Sequence, residues 1–162
     1  MASPKVLILV ALCVLPALLV EASRTVLKYP FHAKGRVYCD TCQLGCEHDL
    51  VTYIKGAVVE VVCRDRGNYE TRYTKQAVTG EGGYYRVEVL TDHHDEICTI
   101  ALVSSPDSGC NKIVKGIHEM TVVLTNDNGL PSHERSVNSL GFEKKTKIAG
   151  CDALQKHYLS DV

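Results

Sequence analysis

The sequence has no tryptophan, two phenylalanines and two methionines in 162 residues. A core made from it must rest on aliphatic side chains and tyrosine, with little help from large aromatic groups. Neither sign of charge is in excess. Eighteen Lys and Arg stand against nineteen Asp and Glu, a formal net charge of −1. That balance argues against a protein that holds nucleic acid or an anionic membrane by bulk electrostatics, and no nucleic-acid partner is expected. Past residue 22 no apolar run is long enough to span a bilayer, so no membrane insertion is expected. No Asn-x-Ser/Thr acceptor occurs either. Asn111-Lys112-Ile113 and Asn138-Ser139-Leu140 both fail at the third position, and no N-linked glycan is expected.

Hydrophobic residues make up 45% and charged residues 23%, which is globular composition. The N-terminus decides the compartment. Lys5 precedes an apolar run from Val6 to Val20, and Val20-Glu21-Ala22 places small or β-branched residues at −3 and −1 of a cleavage site. This is the pattern of a secretory signal peptide over residues 1–22, and Pro16 and the length of the run count against a membrane span. The expected product is an exported domain of residues 23–162, located in the extracellular space. Loss of Lys5 and Glu21 leaves its net charge unchanged.

Cysteine is unusually frequent, with eight in the chain. Cys13 leaves with the signal. Seven remain, at 39, 42, 46, 63, 98, 110 and 151, and in an oxidising compartment they read as a disulfide framework with one thiol left over. The hydrophobic pattern has period two, the strand signal. Ala57, Val59, Val61 and Cys63 share one face; Tyr85, Val87 and Val89 another; Cys98, Ile100 and Leu102 a third; Met120, Val122 and Leu124 a fourth. Weaker strands are predicted over 34–39, 71–78 and 141–147. Gly, Asn and Pro turn signals separate these runs, and 152–159 reads as a helix with Asp152 as its cap. The expected fold is all-β: one antiparallel barrel or sandwich of about seven strands with a short C-terminal helix. Cys63 and Cys98 each fall on an inward strand face, so each can meet a partner in the core. Spacing alone selects no pairing.

The run Gly35-Arg36-Val37-Tyr38-Cys39-Asp40-Thr41-Cys42 resembles the signature of the major olive pollen allergen family of secreted plant proteins. Cysteines at 39, 42, 63, 98, 110 and 151 match its six-cysteine pattern. The segments Gly56–Cys63, Gly83-Tyr84-Tyr85-Arg86-Val87 and Ser104-Ser105-Pro106 resemble it as well. The match covers about residues 34–152. It implies three bonds, Cys39–Cys110, Cys42–Cys151 and Cys63–Cys98, bracing a seven-stranded β domain. Cys46 is extra to the pattern, and is either a free thiol or the link of a covalent dimer. The missing glycan acceptor also departs from many members.

No catalytic constellation emerges, and no cofactor or metal is expected. Cys39-x-x-Cys42 has redox spacing but follows a strand rather than opening a helix. Cys39, Cys42, Cys46 and His48 would suit zinc, yet oxidation takes the thiols into disulfides. His93-His94-Asp95-Glu96 reads as a solvated loop and Asn126-Asp127-Asn128-Gly129 as a turn, since the spaced ligands of a calcium loop are missing. Gly80–Gly83 reads as a hairpin connection, Lys144–Lys147 as a solvated edge strand, and Ser132-His133-Glu134 is too local for a triad. Two functions remain. The first is a non-enzymatic extracellular ligand or wall-associated factor. Similarity to anther-specific members implies roles in pollen hydration and pollen-tube growth through an extracellular protein partner such as a receptor kinase ectodomain, with Tyr53, Tyr69 and Tyr73 as candidate contact residues. The second is a secreted protease inhibitor presenting Arg64-Asp65-Arg66-Gly67 or Lys112.

Overall fold

The computed structural model describes residues 26–160, and the signal-peptide reading of residues 1–22 lies outside them. Two sheets face each other. The first is organised by one long strand, β1 (Val26–Asp40). β2 (Thr52–Tyr53) lies antiparallel at its C-terminal end, through Tyr38↔Tyr53 and Cys39↔Thr52. The second sheet begins with the hairpin of β3 (Val58–Asp65) and β4 (Thr71–Val78). The chain then crosses to the first sheet, where β5 (Tyr84–Thr91) runs antiparallel along β1 from Arg36↔Tyr84 to Phe31↔Val89. It returns as β6 (Glu96–Ser104), paired with β3.

β7 (Lys112–Ile113) belongs to the first sheet and β8 (Glu119–Val122) to the second, on the outer side of β6. The last two strands, β9 (Glu134–Ser136) and β10 (Leu140–Glu143), both lie on β1, and β7 pairs antiparallel with β10. A helix, α1 (Cys151–Ser160), ends the described chain.

The architecture is the expected sandwich, not a closed barrel, with two departures. β9 and β10 run parallel to β1, pairing at His32↔Glu134 and Val37↔Leu140. Gly80–Gly83 is also no hairpin: β4 and β5 lie in different sheets, so this turn carries the chain across the sandwich. Gly83 is confined there. Its φ is +72°, and a β-carbon would overlap the Val37 carbonyl of β1, so only glycine fits.

The period-two faces become the core. Val59, Val61 and Cys63 meet Val87, Val89 and Tyr85 across the sheet gap, with Cys98, Ile100 and Leu102 from β6. Both phenylalanines, Phe31 and Phe142, are fully buried in it. β1 starts at Val26, earlier than residue 34, because Phe31 and Ala33 already point inward. The strand expected over 141–147 stops at Glu143. Lys144 N–H donates to the Asp40 carbonyl (3.0 Å) and Lys145 N–H to Gly109 (2.9 Å), which turns the chain away. Likewise β8 stops at Val122, although Leu124 still faces the core. Asp152 lies inside the first turn of α1 rather than at its cap, where its carboxylate complements the helix dipole.

Candidate functional site

The eight residues from Gly35 to Cys42 can be accounted for one by one. Gly35 lies opposite Tyr85 in the β1–β5 ladder, and a β-carbon there would overlap the Tyr85 hydroxyl. Val37 is core, and its carbonyl accepts from Ile54 N–H at 3.0 Å. Tyr38 lies over Gly141, where a β-carbon would come within 2.6 Å of its ring. Cys39 and Cys42 lead to two disulfides. Asp40, fully buried, accepts from Cys42 N–H (3.2 Å), Gly45 N–H (2.7 Å) and His48 Nε2 (3.1 Å). Thr41 Oγ1 donates to the Leu50 carbonyl at 2.7 Å. Arg36 is the exception. It is the one side chain of the run that reaches solvent.

Arg36 is held in place. Its guanidinium sits 3.3 Å from the centre of the Tyr53 ring and 4.5 Å from that of Tyr84, and Nε donates to the Gly82 carbonyl at 3.1 Å. Stacking between two rings fixes a long side chain that would otherwise wander, and cation–π attraction adds to it. Tyr53 is itself anchored, donating its hydroxyl to Glu47 at 2.6 Å. Burial pushes the Glu47 carboxyl up, but hydrogen bonds from Tyr53 and Ser139 and the charge of Arg36 outweigh it, and the net shift is downward. Glu47 is therefore a carboxylate at neutral pH.

Beside Arg36 opens a groove of about 560 Å3. It lies where β9 has ended and β10 has not begun, so β1 lacks a strand partner between Gly35 and Arg36 on that side. Lys34, Arg36 and Arg86 line it, with the Tyr84 ring, Ser136 and the buried Tyr85. Lys34 and Arg86 share a single carboxylate, Glu134, the latter at 3.5 Å. The arrangement offers positive charge, an aromatic wall and hydroxyls to a ligand. No nucleophile–base pair sits in it.

The structure pairs Cys39 with Cys110, Cys42 with Cys151 and Cys63 with Cys98, at Cα separations of 6.0, 5.2 and 4.0 Å, the same three pairs that the resemblance implies. The residues of the zinc-like set are thus separated: two cysteines are spent in different bonds, His48 is engaged by Asp40, and Cys46 is exposed. His93 corrects the solvated-loop reading. It is 3% exposed, packs 4.8 Å from the Tyr73 ring, and contacts Thr91 Oγ1 and Glu96 Oε2 at 2.9 Å each. Cys63, His93, Glu96 and Cys98 place potential ligand atoms within 4.8 Å of one another, but both sulfurs are bonded to each other. The His93 side chain has no exposure, so the Thr91–His93–Glu96 chain braces the β5–β6 connection and offers no access to a substrate. Tyr73 is half-buried and Tyr69 exposed; of the three tyrosines named from sequence, Tyr53 reaches the groove's edge through Arg36.

Arg66 sits in a tight hairpin turn. Asp65 N–H donates to the Glu70 carbonyl at 3.0 Å and its carboxylate accepts from Gly67 and Asn68. A protease binds extended backbone, and this turn is closed. Lys112 is tied to Glu143. Sequence reasoning missed Arg36 and Tyr84 as partners because their meeting with Tyr53 is long-range. The one signal available was a cation in a run whose other members are all structural.

Burial and the nearby Asp40 carboxylate both push the Cys46 thiol up, which leaves it a weak nucleophile at neutral pH. Non-reducing peptide mapping is expected to find Cys46 as a free thiol on a monomer. A crosslinked Cys46 peptide would overturn this.

Fold and site together define a disulfide-braced β-sandwich domain with a cationic, aromatic-walled surface groove. The family model described as "Pollen protein Ole e 1 like" matches residues 29–159. The chain belongs to this Ole e 1-like pollen protein family. It is 43% identical over 132 residues to Protein DOWNSTREAM OF FLC of Arabidopsis thaliana, covering 82% of this chain and 80% of that protein. It is 37% identical over 129 residues to pollen allergen Sal k 5.0101 of Kali turgidum, covering 78% and 85%. The crystal structure of the major plantain pollen allergen Pla l 1 matches with a TM-score of 0.66 at 32% identity, covering 76% of this chain and 100% of that one. Among the described residues no helix is long and apolar enough to cross a membrane.

Proposed function

We propose that this chain is a secreted, non-enzymatic pollen protein that acts as an extracellular ligand or wall-associated factor in pollen hydration and pollen-tube growth. One observation carries the reading. In the Gly35–Cys42 run every side chain but one is committed to holding the domain together, and that one, Arg36, is clamped between Tyr53 and Tyr84 at the surface. A fixed, partly exposed cation on a rigid frame is the form of a recognition group, since little rotamer entropy is lost when a partner binds. Family membership and three disulfides support an extracellular site of action. The partner would be a pollen or pistil surface component, such as a receptor kinase ectodomain or the wall itself.

The test is retention of the fluorescently labelled, folded chain on pollen and pistil surfaces, followed by crosslinking and capture. The wild-type chain is expected to be retained, and Arg36→Ala to lose most of that retention. Equal washing-out of the wild-type and reduced, alkylated chains would remove the proposal's support.

A further inference from the structure

β6 and the turn before it gather a donor cluster remote from Arg36. Glu96 and Cys98 stand two residues apart on β6 and share one face of it. Cys63 lies directly opposite Cys98 in the β3–β6 ladder. His93 closes the turn that leads into β6. Its carbonyl accepts from Glu96 N–H at 3.1 Å, and its own N–H donates to the Leu124 carbonyl at 2.9 Å. Three elements thus bring one ligand atom from each of Cys63, His93, Glu96 and Cys98 within 4.8 Å of one another. His93 and both cysteines are buried. The Cys63–Cys98 bond occupies both sulfurs, and it is what withholds them from a metal.

Two thiolates, an imidazole and a carboxylate suit a borderline-soft divalent cation, zinc above all. Tetrahedral zinc with bonds of about 2.0–2.3 Å sets its ligand atoms roughly 3.3–3.8 Å apart. A spread of 4.8 Å closes to that by side-chain rotation, and the two sulfurs, once unbonded, part by the same means. The β3–β6 ladder keeps the cysteines opposed whether or not their bond is present. The imidazole is already oriented. His93 Nδ1 faces Glu96 Oε2 and Nε2 faces Thr91 Oγ1, each at 2.9 Å. Coordination through Nδ1 places the ring proton on Nε2, where the Thr91 hydroxyl oxygen accepts it and fixes the tautomer. His93, Glu96 and Cys98 also line a cavity of about 190 Å3. That is below the roughly 300–1,000 Å3 of small-molecule sites, yet ample for an ion. Arg66 lines the same cavity, and its positive charge offsets the net negative charge left by three anionic ligands around Zn2+.

We propose that Cys63, His93, Glu96 and Cys98 form a zinc site when the Cys63–Cys98 bond is reduced, so that metal and disulfide are alternative states of the same two sulfurs. A dithiol reductant supplies two electrons and two protons. The S–S bond breaks, each sulfur becomes a thiol, and the reductant leaves as its cyclic disulfide. Zinc then takes both sulfurs as thiolates and releases their two protons to solvent. A disulfide oxidant reverses the exchange: it takes the two electrons, the bond forms again and the ion leaves. The chain thereby has a metal-binding state before this bond closes and none at this cluster afterwards. The inference is independent of the recognition role of Arg36, which lies on the other sheet.

The experiment reduces the folded full chain, produced through a secretory host, with dithiothreitol, which is then removed by gel filtration under argon. Cobalt(II) is the visible probe and zinc its competitor. The reduced chain is expected to show the absorption bands of tetrahedral cobalt with thiolate charge transfer, and the oxidised chain neither. Peptide mapping after iodoacetamide treatment identifies the thiols involved. Zinc is expected to slow alkylation of Cys63 and Cys98 about tenfold or more, since a metal-bound thiolate is withheld from the reagent, and to leave Cys39, Cys42 and Cys46 unprotected. His93→Gln and Glu96→Gln are each expected to weaken zinc binding by about tenfold or more. Replacing Cys63 and Cys98 together by serine is expected to abolish the cobalt bands. Circular dichroism follows the fold throughout. A Cys63–Cys98 bond that resists dithiothreitol in the folded chain would overturn the proposal. So would a reduced chain that unfolds and does not refold with zinc, protection of Cys39, Cys42 and Cys46 in place of Cys63 and Cys98, unaltered affinity in both His93→Gln and Glu96→Gln, or no metal binding at all.

Discussion

Replacing Cys39 and Cys110 together by alanine is expected to lower the thermal midpoint by about 12–16 °C. The bond closes a loop of 71 residues. In the chain-entropy model a closure of that length restricts the unfolded state by about 4 kcal/mol. For a domain of this size each kcal/mol moves the midpoint by about 3–4 °C. The total stability of such a domain is roughly 5–15 kcal/mol, so one bond is a large part of it. Packing adds to the loss. Both sulfurs are buried where β1, β10 and β7 converge, and Cys110 Sγ lies 3.5 Å from the Phe142 carbonyl.

The other two bonds are expected to behave differently. Cys63–Cys98 closes 35 residues and links directly opposed positions of β3 and β6, whose ladder persists without it, so its loss costs less. Cys42–Cys151 closes 109 residues, the longest span, yet it ties down a terminal helix. Its removal is expected to release α1 locally, with loss of helical circular dichroism before the main transition. Scanning calorimetry of the three double variants checks the order. A fall of less than about 4 °C for the Cys39/Cys110 pair would show that the ladders hold the junction without the bond.

What was legible in the sequence follows from how far each interaction reaches. A strand with one face in the core must alternate, so Val59, Val61 and Cys63, or Tyr85, Val87 and Val89, announce their burial through their immediate neighbours. β2, β7 and β9 are two or three residues long and have no period to read. The parallel pairing of β9 and β10 with β1 depends on the path the chain takes after β8, and no local signal records a path. His48 illustrates the limit from the other side. Its spacing from three cysteines suggested a ligand set, but the geometry gave it a carboxylate eight residues away, at the end of β1. The groove was the least legible feature, because Arg36, Tyr53 and Tyr84 are brought together by three strands of one sheet. The signature marked Arg36; only the fold shows what it faces.

Asp40→Ala is expected to destabilise the domain by about 3–5 kcal/mol, because three buried donors would lose the carboxylate that accepts from them. Asp40 is fully buried, and its two oxygens gather three donors from one loop: Cys42 N–H, Gly45 N–H and His48 Nε2. The direction of the His48 contact follows from the ring's other side. Nδ1 accepts from Leu50 N–H at 3.1 Å, so the proton facing Asp40 is carried on Nε2. Alanine would leave these donors dry and unpartnered, each a penalty of about 1–3 kcal/mol offset in part as the loop opens to water. Asp40→Asn keeps the shape but turns an amide donor toward donors, and is expected to cost about 2–3 kcal/mol. Denaturant unfolding measures both, and hydrogen exchange locates the effect, with the amides of Gly45 and Leu50 exchanging faster. A loss below about 1 kcal/mol for Asp40→Ala would mean that the Cys42–Cys151 bond alone shapes the loop. The consequence extends to the surface. The same loop carries Glu47, which holds the Tyr53 hydroxyl at 2.6 Å, and Tyr53 is one of the two rings that clamp Arg36. Asp40→Ala is therefore expected to weaken recognition through Arg36 as well, although Asp40 itself lies in the interior, out of reach of any partner.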